Sequence, residues 1–112
     1  MKLVVIESPY AGNVKENIRY LQACMRDCLL RGEAPYASHG LYTQPGVLDD
    51  LVAEERQHGI EAGFAWRRVA ELTVVYHDLG LSSGMRYGID DAIARGCPVE
   101  YRSLPGWRKV DG

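Results

Sequence analysis

Residues 72–76, Leu-Thr-Val-Val-Tyr, form an unbroken β-branched run with none of the polar alternation of a half-exposed strand. Such a run reads as a strand covered on both faces, the signature of a parallel sheet flanked by helices. The opening of the chain repeats it. Residues 2–7 carry Leu3-Val4-Val5-Ile6 and lead into the turn-rich Ser8-Pro9-Tyr10-Ala11-Gly12.

Helical signals follow each run. Asn13 is a candidate N-cap with Glu16 three residues on, and Val14, Ile18, Leu21, Met25 and Leu29 recur at helical spacing until Gly32. Residues 34–38 predict a second, weaker strand. Residues 48–67 read as helical with a break near Gly59, and Leu48, Leu51, Val52, Ile60 and Phe64 give the apolar face. After the 72–76 strand, Ser83 is expected to cap a helix carrying Met85, Ile89, Ala92 and Ile93. Gly96 closes it, residues 98–102 give a last strand, and residues 103–112 are expected to be irregular. The alternation predicts an α/β fold in one domain, residues 1–112. It is a small doubly wound parallel sheet of about four strands, flavodoxin- or Rossmann-like, with helices on both faces.

Charge narrows the function. The net charge is −2 with no basic block, which argues against nucleic acid as partner. The longest apolar stretch is too short to cross a bilayer, and the N-terminus lacks the apolar core of a signal peptide, so no membrane role and a cytoplasmic location are expected. Cys24, Cys28 and Cys97 are odd in number and lack framework spacing, which argues for a reducing compartment, and Cys24 and Cys28, four apart on a helix, read as buried small hydrophobes, with no metal and no cofactor.

In doubly wound folds, functional residues collect where loops leave the strands' carboxyl ends. The first such loop offers Ser8, Tyr10, Ala11 and Gly12 before a helix N-terminus, where small residues admit a ligand and N–H groups favour an anion. Tyr10 can stack on a base or simply fill a tight turn. Residues 80–85 repeat the arrangement after the best strand, with Ser82, Ser83, Gly84 and Met85 opening a helix. His39, Tyr42, His77 and Asp78 are placed at the same end of the sheet. His77 with Asp78 invites general-base chemistry, although neighbours on a strand point to opposite faces. Arg56 and Arg86 are candidates to neutralise an anion, Arg86 because a cation in a helix's first turn gains nothing from the dipole.

These residues resemble the nucleoside 2-deoxyribosyltransferase-like superfamily, in particular its short members of uncharacterised function in phages and bacteria. The resemblance rests on VVIESPYAGN, HGLY, LDDLVAEERQHGIEAGFAW and SSGMRYGIDDAIARGCPVEYR, nearly the whole chain. It implies that Tyr10, Ala11 and Gly12 meet a base or sugar and that Ser82, Ser83 and Gly84 receive sugar or phosphate. It also implies homodimers or higher oligomers, for which Trp66 and Trp107 offer surface. The superfamily's nucleophilic Glu falls on Gly88, which cannot attack a sugar. Asp90 and Asp91 lie about 200° and 300° further around the helix and are poor substitutes. Asp78 and Glu7, at strand ends, are the better ones.

The expectation is therefore a nucleotide-binding protein with the transferase-like fold and without its chemistry, a pseudoenzyme. A phage protein of this kind would act in the host cytoplasm against defence, sequestering a nucleotide or ADP-ribose-type signal. The alternative is an N-glycosidase or deoxyribosyltransferase acting on nucleosides or nucleotides through Asp78 or Glu7.

Overall fold

Apolar residues on both sides of the middle strands demand a helix layer on each side, and the computed structural model, which describes residues 1–107, supplies them. The chain runs β1 (Lys2–Glu7), α1 (Val14–Leu30), β2 (Glu33–Tyr36), α2 (Ser38–Leu41), α3 (Ala53–Arg67), β3 (Leu72–Tyr76), α4 (Ser83–Ala94) and β4 (Val99–Arg102). The four strands form one parallel sheet in the order β2-β1-β3-β4. β1 and β3 are the interior pair, registered Val4 to Leu72 and Glu7 to Val75.

Alternation along the strands sorts side chains between two cores. Val4, Ile6, Val74 and Tyr76 pack against Tyr20, Leu21, Cys24 and Cys28 of α1. Val75 packs on the opposite side with Met85 and Ile89 of α4. The helices after β1 and β3 thus leave to opposite faces. A crevice opens between their loops, at the point where strand order reverses.

Several boundaries differ from expectation. α1 buries Glu16, Asn17, Tyr20, Leu21, Cys24 and Cys28, whereas Ile18, Met25 and Leu29 of the expected stripe are exposed. The true face lies one position off because Tyr20 and two cysteines carry the burial. α3 begins at Ala53 and runs unbroken through Gly59. The cap of α4 is Ser82, whose Oγ accepts from the Met85 amide at 3.2 Å, and Ser83 is the first helical residue. α2 was not expected from sequence. Residues 103–107 are irregular, and residues 108–112 of the expected tail lie outside the described residues.

Beneath α1, Arg102 on one edge strand reaches Glu33 on the other. Its two terminal nitrogens donate to the two carboxylate oxygens at 2.7 Å each. Arg102 also donates to the Tyr76 hydroxyl, which donates in turn to Asp27 at 2.7 Å. Hydrogen bonds from Arg102 hold the Glu33 carboxyl below its ordinary range. A buried pair of this kind adds little net stability compared with apolar packing, but removing one partner strands a charge. Arg102→Met should destabilise the protein by about 3–5 kcal/mol in urea unfolding. A loss under about 1 kcal/mol would show that the pair does not tie the sheet edges together.

A candidate ligand cleft at the sheet's switch point

The crevice between the β1 and β3 loops opens into a cleft of about 420 Å³, within the range of small-molecule sites. β1 contributes Glu7 and the loop after it Ser8, Tyr10 and Ala11. α2 contributes His39, α3 contributes Phe64 and Arg67, and α4 contributes its first turn together with Tyr87 and Gly88.

Local chemistry fixes each wall. The β1–α1 loop is pinned by Asn17, whose amide donates to the carbonyls of Tyr10 and Ala11 at 2.8 and 3.1 Å. The expected Asn13 cap forms, accepting from the Glu16 amide at 3.2 Å. At α4, the Ser82 side chain satisfies the Met85 amide, while the first-turn amides of Ser83 and Gly84 have no acceptor within the helix. α2 is held close by Gly63 of α3, where a Cβ would come within 2.7 Å of the Ser38 hydroxyl.

Two polar pairs lie in the walls. Ser8 Oγ and His39 Nε2 are 2.7 Å apart, and burial pushes the His39 imidazole down to about 4, so it is neutral at ordinary pH. The second pair joins three elements. Arg67 Nη2 donates to Glu7 Oε2 at 2.5 Å, and Arg67 Nη1 donates to the Gly88 carbonyl and to Asp91 Oδ2 at 3.4 Å. Burial raises the Glu7 carboxyl to about 7, although the adjacent Arg67 pulls it the other way. Residue 88 has to be small here, because a Cβ on Gly88 would collide with both Glu7 carboxylate oxygens and their carbon.

Of the residues singled out in sequence, Ser8, Tyr10, Ala11, His39, Arg56, Ser82, Ser83, Gly84, Met85 and Glu7 line the cleft. Gly12 and Arg86 do not. Asp78 is also elsewhere: it accepts from the Tyr20 hydroxyl and the Leu104 amide. Continuing the alternation from Tyr76 places Asp78 on the α1 side and Glu7 on the α4 side. The sequence reading missed Arg67 and the aromatic pair Phe64 and Tyr87, whose rings stack at 5.6 Å with 29° between planes. Phe64 stood on an expected apolar face, but nothing local showed that this face meets α4.

A family model described as a domain of unknown function, DUF7768, matches residues 2–102. The chain belongs to the DUF7768 family. No curated protein matches it. Among solved structures, this DUF7768 chain is similar to a 2-deoxyribosyltransferase from the psychrotolerant bacterium Bacillus psychrosaccharolyticus, at 15% identity and a TM-score of 0.64. The match covers 96% of this chain and 77% of the other. The DUF7768 chain therefore has the deoxyribosyltransferase-like α/β fold, as expected, through a distant structural relationship. Among its described residues no helix is long and apolar enough to cross a membrane.

The two shifted groups oppose each other in the stability of the protein. Glu7 favours the folded state while protonated, so its contribution is complete below its ordinary 4.5 and is lost as pH rises through about 7. His39 favours the folded state while neutral, so its contribution is complete above 6.5 and is lost as pH falls through about 4. Urea midpoints of Glu7→Gln should therefore climb more steeply from pH 4.5 to 6.5 than those of the parent. Parallel curves for the two proteins would show that Glu7 carries no raised pKa.

Proposed function

We propose that the cleft binds a nucleoside-type ligand, a nucleoside or nucleoside monophosphate. The observation that carries this reading is the meeting of two unlike surfaces in one cleft. The Phe64–Tyr87 pair offers an aromatic face, and the Ser82-Ser83-Gly84 turn offers hydroxyls and helix amides. A planar base suits the first, through stacking, and a sugar or single phosphate suits the second. The name of the structural relative, a 2-deoxyribosyltransferase described as a biocatalyst for nucleoside synthesis, is in keeping with that ligand class.

The charge of the lining favours a low phosphate count. Among the described residues, the lining holds two guanidinium groups, Arg56 and Arg67, against three carboxylates, Glu7, Asp50 and Glu55. Arg67 is already engaged by Glu7 and Asp91. A polyphosphate or ADP-ribose would bring more negative charge than this lining can neutralise. Sequestration of a nucleotide signal, as in a phage protein acting against host defence, requires no more than such a cleft. Tyr10 and the Ser8–His39 pair then border the ligand.

The test is ligand-observed proton NMR with nucleosides, their mono-, di- and triphosphates, NAD and ADP-ribose. Nucleosides and monophosphates should bind more tightly than the higher phosphates. Tyr87→Ala and Phe64→Ala should each weaken binding about tenfold, the order of one base–aromatic stack. Absence of binding across the panel at millimolar concentration would refute the proposal, as would unchanged affinity in the Phe64→Ala/Tyr87→Ala double variant.

A further inference from the structure

α1 is apolar on two sides. Its inner side meets the sheet through Tyr20, Leu21, Cys24 and Cys28, while its outer side carries Ile18, Met25 and Leu29, which are 36–50% exposed. At about 100° per residue these three fall within about 40° of one another, so they form a stripe along the helix. Among the described residues, neither hydrophobic core includes them.

The stripe is shaped as well as apolar. Gln22, Met25, Arg26 and Leu29, with Leu30, line a depression of about 260 Å³. The first four are spaced i, i+3, i+4 and i+7, the set that surrounds a hole for one side chain of a facing helix. A lipid surface has no such knob to place there, and half-buried side chains do not reach far enough to enter a membrane interface.

Charge narrows the partner further. Lys15 and Arg26 stand exposed beside the stripe, within about 60° of Leu29 around the helix. The two carboxylates of α1 are turned away. Glu16 is buried, and Asp27 accepts from Arg31 and from the Tyr76 hydroxyl beneath the helix. The outer face of α1 is therefore cationic on a chain whose net charge is −2. Two copies of this face would set like charges against each other, which disfavours self-pairing through it.

We propose that the outer face of α1 docks an amphipathic helix of a partner protein, with one apolar stripe and an acidic flank. An apolar side chain of that helix enters the depression, and its carboxylates meet Lys15 and Arg26. The stripe residues do not line the cleft, which lies on the other side of the sheet, so docking leaves the cleft open.

The experiment titrates the nitrogen-15-labelled full chain with two synthetic helical peptides. Both carry the same leucine stripe, and their flanks differ, glutamate in one and lysine in the other. Amide signals of residues 15–30 should shift with the glutamate peptide and stay in place with the lysine peptide. Affinity for the glutamate peptide should fall about tenfold between about 50 and 500 mM salt, because its ion pairs are exposed. Leu29→Glu and Arg26→Glu should each weaken it about tenfold or more. Both positions are on the surface, and should Leu29→Glu fail to fold, Arg26→Glu carries the test alone. No response at millimolar concentration, an equal response to both peptides, or unchanged affinity in the folded variants would overturn the proposal. Binding to phosphatidylglycerol vesicles in place of the peptide would overturn it in favour of a membrane. A dimer in solution that Leu29→Glu dissolves would overturn it in favour of a second copy.

Discussion

A carboxylate buried at the end of an interior strand needs a cation beside it, and the pairing of Glu7 with Arg67 determines much of how this protein is put together. Arg67 is the last residue of α3, so the pair draws the end of that helix under the middle of the sheet. The second guanidinium nitrogen then reaches the backbone and Asp91 of α4. Three elements distant in sequence meet at one side chain. The cleft wall they form follows from that convergence.

The opposite face of the sheet has an ion pair with a different purpose. Arg102 and Glu33 join the two edge strands beneath α1, with Tyr76, Asp27 and Cys28 completing the network. Neither Arg102 nor Glu33 lines the cleft, so this pair holds the sheet on the face away from the candidate site. Glu7, barely more exposed than Glu33, differs in lining the cleft. The protein thus divides its buried ion pairs, one for architecture on the α1 side and one at the candidate site on the α4 side.

Much of the architecture could be read from local pattern. The apolar runs at 3–6 and 72–76, the Asn13 cap and the glycine stops gave the strand–helix alternation, and alternation with short connections fixed a parallel sheet. The loop residues of the cleft were legible for the same reason, because they follow strand ends directly. What stayed hidden depended on distance in the fold. Ile18, Met25 and Leu29 look like a core stripe until Tyr20 and Cys24 are seen to take that place. Asp78 and Glu7 are both strand-end carboxylates. Only the alternation of side chains between the two faces separates a partner of Tyr20 from a group in the cleft. Arg67 looks in sequence like any helix-ending cation, and nothing local announces that it is buried against Glu7. The glycine at 88 reads as a loss in sequence and as a gap with an occupant in the fold.

The most direct measurement is a carbon-13 NMR titration of the Glu7 side-chain carboxyl, assigned by comparison with Glu7→Gln. A carboxylate lodged against Gly88 and Arg67 should titrate with a midpoint near 7, well above the ordinary 4.5. In Gly88→Ala, where the added methyl group evicts it, the midpoint should move back toward that ordinary value. A parent midpoint already at 4.5, unmoved by Gly88→Ala, would mean that Glu7 does not occupy the gap over Gly88.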